Sequence, residues 1–137
     1  MAKVARRLEQ ARRSLHTLFE VLTMPVSPLV RDAAIQRFEY SVETTWKYAQ
    51  AALQAAEQLE VASPRSVVRA CHERCIVDEA AVRALFVALD DRNMTVHTYD
   101  EELAQQIYER LSGHALQLRA WQDGIIGYVE REGVVEL

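Results

Sequence analysis

The chain has 137 residues, half of them hydrophobic, with only four glycines and three prolines. That length supports one domain with a real core, and the surplus of Ala, Leu, Glu, Arg and Gln is the composition of an all-helical protein. A formal net charge of −4 argues against a general nucleic-acid coat, yet leaves room for a local anion site built from a few arginines.

Lys3, Arg6 and Arg7 lead into an amphipathic pattern rather than an apolar run, and no stretch of about 18 apolar residues follows. The expectation is a cytoplasmic protein with no membrane contact. Val4, Leu8, Leu15, Leu18 and Leu22 recur at helical spacing, which predicts a first helix of about six turns. Pro25 ends it. Ser27 as N-cap and Pro28 as first helical residue then start the second helix, which runs to about Leu59 on a stripe of Ile35, Phe38, Val42, Trp46 and Leu53.

The first half of that helix carries Arg31, Asp32, Arg37, Glu39, Glu43 and Lys47. These form either a solvated face, with Glu43 and Lys47 as an attractive pair, or the lining of a substrate groove. Tyr40 and Trp46 read as core positions that are also able to stack a base. The alanines between Ala49 and Ala56 admit close approach of another helix, within the chain or across a dimer. Ser63-Pro64 repeats the start signal for a short helix from Arg65 to about Cys75. Cys71 and Cys75 lack enough neighbouring ligands for a metal site and read as reduced thiols.

Asp78 caps a fourth helix, whose stripe of Val82, Leu85, Phe86 and Leu89 leads to Arg92. The Thr98-x-x-Glu101 spacing is a capping box that opens a fifth helix through Leu103, Ile107, Leu111 and Leu118. After about residue 122 the glycines Gly124 and Gly127 interrupt the pattern, which leaves a frayed tail or a β-like arm. The whole reads as a single domain spanning residues 1–137. It is an all-α, antiparallel, up-and-down four-helix bundle with one additional short helix.

Chemistry concentrates between Leu89 and Glu101. On an unbroken helix Arg92 and His97 would diverge by roughly 140°. They converge only if the helix ends between them, and Asn93, Thr95 and Val96 favour such an end. Arg92 is then expected on the last turn of one helix, His97 in the connection and Tyr99 on the first turn of the next. A guanidinium grips phosphate and an imidazole moves protons near neutral pH, so the pair suits phosphodiester chemistry without a metal. One histidine cannot act as both acid and base, and a two-fold dimer would supply the second. The plainer reading is an arginine favouring a helix C-terminus beside a loop histidine bonded to a carbonyl.

Arg92-Asn93-Met94-Thr95-Val96-His97-Thr98-Tyr99 resembles the Arg-x4-His-x-Tyr pattern of HEPN-domain proteins encoded beside minimal nucleotidyltransferases. Arg31 to Lys47 is similar to that group's second helix, and Ser63-Pro64-Arg65 and Asp90-Asp91-Arg92-Asn93 follow in its order. The likeness covers roughly residues 4 to 120. It implies the toxin of a toxin–antitoxin pair, a metal-independent endoribonuclease that acts on RNA as a homodimer and needs no cofactor. Arg92 and His97 would be catalytic, with Asn93 orienting the arginine or the phosphate. Tyr99 would accept AMP from the partner, a minimal nucleotidyltransferase antitoxin. The same resemblance implies an alternative: a non-catalytic substrate-binding subunit of a two-component nucleotidyltransferase, its polar groove holding a nucleotide or small acceptor. Asp90, Asp91, Asp100 and Glu101 depart from an RNA site. They would repel RNA unless paired with Arg31, Arg37 or Arg65, and otherwise fit a basic partner or the tuning of His97.

Overall fold

Short polar side chains set the helix starts. The Ser27 hydroxyl accepts the Val30 amide at 3.1 Å, and Asp78 accepts the Ala81 amide at 2.8 Å. Ser63 and Ser66 form a reciprocal capping box ahead of Pro64. The computed structural model describes residues 2–136. It contains α1 (Lys3–Leu22), α2 (Pro28–Glu57), α3 (Pro64–Glu73), α4 (Glu79–Met94), a single 3-10 turn (Thr95–His97) and α5 (Glu101–Arg131). The protein is an all-helical bundle. None of its helices is long and apolar enough to cross a membrane.

The long α2 is the hub, packing against α1 and α5 and more lightly against α3 and α4. Its apolar stripe and its alanines supply Phe38, Tyr48, Ala49, Ala52 and Leu53 to the core. The small residues therefore serve close packing within the chain. At the same level Gln122 of α5 donates to the Ala11 carbonyl at 3.1 Å and to the Thr45 hydroxyl at 3.0 Å, so one buried amide ties α1, α2 and α5 together.

The expected tail after residue 122 is instead the last turns of α5, which stay helical to Arg131. Ile125 and Tyr128 continue the stripe of Leu118 and Trp121 into the core. The Tyr128 hydroxyl donates to Glu57 at the end of α2, and Arg74, the C-cap of α3, donates to the same carboxylate at 2.6 Å. These bonds hold Glu57 below its usual carboxylate range, while burial and Glu57 push the Tyr128 hydroxyl upward. Gly124 belongs there for a steric reason, since a Cβ would lie 2.7 Å from the Ile76 carbonyl oxygen of the α3–α4 connection. Long-range packing thus overrides the local weakness of two glycines.

Beyond α5, Gly133 takes a left-handed φ of 61° and closes a Schellman turn, with Val134 N–H bonded to the Val129 carbonyl at 3.2 Å. The chain then returns to the bundle. The Glu136 carboxylate accepts the Val4 amide at 2.9 Å and caps α1, whose own N-cap, Ala2, offers no side chain for the purpose.

Candidate functional site

Arg92 lies on the last turn of α4 and His97 in the 3-10 turn, as the spacing requires. The break is made differently from expectation. Asn93 is not a left-handed cap, because α4 continues through Met94 and the backbone then tightens. Buried Thr95 fixes this geometry. Its hydroxyl donates to the Arg92 carbonyl at 2.7 Å and accepts from the Arg92 guanidinium at 3.4 Å. Thr98 repeats the pattern, donating to the Thr95 carbonyl at 2.9 Å, so it does not cap α5. Asp100 caps α5 instead, accepting the Glu102 and Leu103 amides at 3.0 and 3.2 Å. Tyr99 consequently sits in the turn before α5 rather than on its first turn, 83% exposed. The His97 ring, also exposed, meets Tyr99 edge-on at 6.1 Å between centroids.

The neighbouring carboxylates are nearly all occupied. Asp90 pairs with Arg65. Asp91 is buried and receives two parallel bonds of 2.8 Å from Arg110 of α5, while His114 lies 2.7 Å from the same carboxylate. Burial opposes the charge on Asp91, but the bonds from Arg110 and His114 outweigh it and hold the carboxyl below its ordinary range. The His114 ring stacks on Phe38 at 5.4 Å, which extends the cluster to α2. Glu43 is matched by Lys47 at 3.3 Å and accepts the Trp46 indole N–H at 3.0 Å. Asp100 is spent on its cap, and Glu101 sits on the first turn of α5, where the helix dipole favours it.

Arg92 is the exception. Among the described residues no carboxylate reaches it, its Nε is buried without a partner, and Thr95 is its polar contact. It lines a cleft of about 320 Å³ between α2, the start of α3 and the end of α4, together with Asn93, Arg65 and Trp46. His97 is outside that cleft.

The six groove candidates on α2 do not share one groove, because a 30-residue helix turns its side chains through every direction. Glu43 lines the Arg92 cleft and pairs with Lys47, which is not part of the lining. Asp32 and Glu39 line a separate, more open cleft of about 440 Å³ that ends at Thr98. Arg31 is largely buried, its Nε unbonded and Asp32 3.9 Å away. Arg37 turns to α1, bonding the Thr17 carbonyl at 3.0 Å with Glu20 at 4.0 Å. The sequence reading missed Arg110 and His114. Their i,i+4 spacing on α5 was the available signal, but nothing local linked them to Asp91. Cys71 is buried and takes the Trp121 indole N–H at 3.5 Å, and burial pushes its thiol up to about 11.

The arrangement is a cleft lined by Arg92 and Trp46, next to a turn that presents an imidazole and a phenol to solvent. The chain is similar to a crystal structure of a protein from Thermus thermophilus, at 41% sequence identity and a TM-score of 0.78, over 87% of this chain and 98% of that one. No curated protein matches it. The family described as nucleotidyltransferase substrate binding protein like matches residues 4–125. The chain therefore belongs to the nucleotidyltransferase substrate binding protein-like family.

Proposed function

We propose that this chain is the substrate-binding subunit of a two-component nucleotidyltransferase, working in the cytoplasm beside a partner that carries the transfer chemistry. One observation carries the reading. Among the described residues around the cleft, Arg92 lacks a counter-ion, and it lines the cleft, so the site has a charge to offer an incoming anion. A single protomer holds Arg92 in this cleft without His97, which favours binding over self-contained catalysis. The test is co-expression with a nucleotidyltransferase encoded beside it. The two should copurify, and nucleotidyl transfer to an acceptor should require this chain and fall in Arg92→Ala. Transfer that proceeds equally well without this chain refutes the reading.

A second reading is favoured by the exposure of His97 and Tyr99 on the turn that follows Arg92. In it the chain is a HEPN toxin, a metal-independent endoribonuclease. Two copies bring two Arg92, Asn93 and His97 sets to one cleft, and the partner switches the site off by placing AMP on Tyr99. Such an adduct would add charge and volume two residues from the imidazole. Expression of the chain alone separates the two readings. Growth arrest and RNA cleavage lost in His97→Ala support the toxin, whereas normal growth with soluble wild type and variant supports the binding subunit.

A further inference from the structure

Resting on the binding-subunit reading, we infer that one end of the bundle, formed by the α1–α2 connection and the 3-10 turn, is a docking surface. It fits a partner protein whose own face is apolar at its centre and basic at its rim.

The two segments form one surface, because Leu29 at the start of α2 and Thr98 after the 3-10 turn line the same open cleft. Ten large hydrophobic side chains are exposed among the described residues, and six of them gather at this end. Met24, Val26 and Leu29 come from one segment, and Met94, Val96 and Tyr99 from the other. Leu29 is 80% exposed. Single exposed apolar residues are ordinary, but a cluster rimmed by charge marks a protein contact.

Charge selects the partner. Residues 23–36 and 94–102 carry the exposed carboxylates of Asp32, Asp100, Glu101 and Glu102. Against them stands one Lys or Arg, Arg31, whose side chain is only 14% exposed. That rim repels an RNA strand or an anionic lipid surface, and a second copy turned onto the same end would set like charge against like. A protein with lysines and arginines around an apolar centre meets both demands. The Leu29–Thr98 cleft, with Asp32 and Glu39 in its wall, gives one of those cations a place to enter.

The experiment measures binding of the nucleotidyltransferase encoded beside this chain to the full-length protein, by calorimetry across a salt series. Affinity should fall steadily as salt rises. Leu29→Asp should weaken binding by about tenfold or more, and Glu101→Lys combined with Glu102→Lys by a similar factor. Leu116→Asp, at an exposed leucine roughly 22 Å along α5 from Glu101, should leave it unchanged. Hydrogen exchange on the wild-type complex reads the surface without any substitution, with protection expected at residues 23–29 and 96–102. If the two proteins bind but the Leu29 and charge variants match wild type, or protection appears elsewhere, the docking surface falls and the functional reading stands. If the folded chain binds no nucleotidyltransferase, both fall. Sedimentation of the chain alone tests the other occupant. A wild-type dimer that Leu29→Asp separates would seat a second copy on this end and overturn the inference, whereas a monomer, or a dimer that the variant leaves intact, supports it.

Discussion

Asp91 of α4 and Arg110 of α5 face each other through two parallel hydrogen bonds of 2.8 Å, one residue before the arginine that lines the cleft. With His114 2.7 Å from the same carboxylate and stacked on Phe38, the pair fixes the end of α4 against two helices at once. The backbone that carries Arg92 is thereby fixed relative to α2 and α5.

Asp91→Asn should therefore lower stability by about 2–3 kcal/mol, since the bonds to a charged acceptor are lost and Arg110 and His114 are left without their charge partner. In the wild type Asp91 is held below its unfolded value. Its contribution is complete above about pH 4 and is lost as pH falls through the lower folded-state value. Urea melts from pH 7 down to pH 3 check both statements. A variant that matches wild type at pH 7, or a wild type that gains stability towards pH 3, contradicts them.

The glycines of α5 predict opposite signs for one substitution. Gly124→Ala pushes a methyl group to within 2.7 Å of the Ile76 carbonyl and should destabilise by about 1–3 kcal/mol, because backbone must move. Gly113 has nothing within 4 Å of its missing Cβ, so Gly113→Ala should stabilise by up to about 1 kcal/mol through helix propensity. Thermal denaturation of the two variants side by side reads the contrast. The same sign for both would mean that propensity or packing alone rules this helix.

Cys75 closes α3 in a left-handed conformation at a φ of 60°, inside a Schellman turn in which the Ile76 amide bonds the Cys71 carbonyl at 2.9 Å. A side chain is strained there and glycine is not. Cys75→Gly should gain about 0.5–1 kcal/mol after its greater freedom in the unfolded chain is deducted. Cys75→Ala, which keeps the Cβ, should gain nothing. Chemical melts of the two variants compare them directly.

The carboxylate of Glu136 stands in for the missing N-cap of α1. Glu136→Gln keeps an acceptor but drops the charge and should cost a few tenths of a kcal/mol, whereas Glu136→Ala should cost about 0.5–1 kcal/mol. Amide hydrogen exchange at Val4 and Ala5 provides the local measurement. Unchanged protection in Glu136→Ala would show that the clasp contributes nothing.

Sequence alone determined what depends on neighbours a few residues away. Ser27-Pro28, Ser63-Pro64 and Asp78 set helix starts through bonds reaching three residues along the chain. The stripe from Phe38 to Leu53 set the buried face of α2 through the helical period, and the five-residue spacing from Arg92 to His97 required a break that the chain makes. Where two local signals competed, the outcome was not legible. Thr98 and Asp100 both suit an N-cap, and the 3-10 turn took Thr98 for its own carbonyl, leaving α5 to Asp100. Tertiary structure decided everything that joins distant residues. It kept α5 helical past Gly124 because Ile125 and Tyr128 had a core and Glu57 to meet. It turned Arg37 to α1 and Glu43 to the cleft, although six positions along one helix separate them. It matched Asp90 with Arg65 and Asp91 with Arg110, and so left Arg92 without a carboxylate partner among the described residues. The physical reason is range: caps and periodicity act within a turn or two, whereas pairing and packing depend on which surfaces the finished bundle brings together.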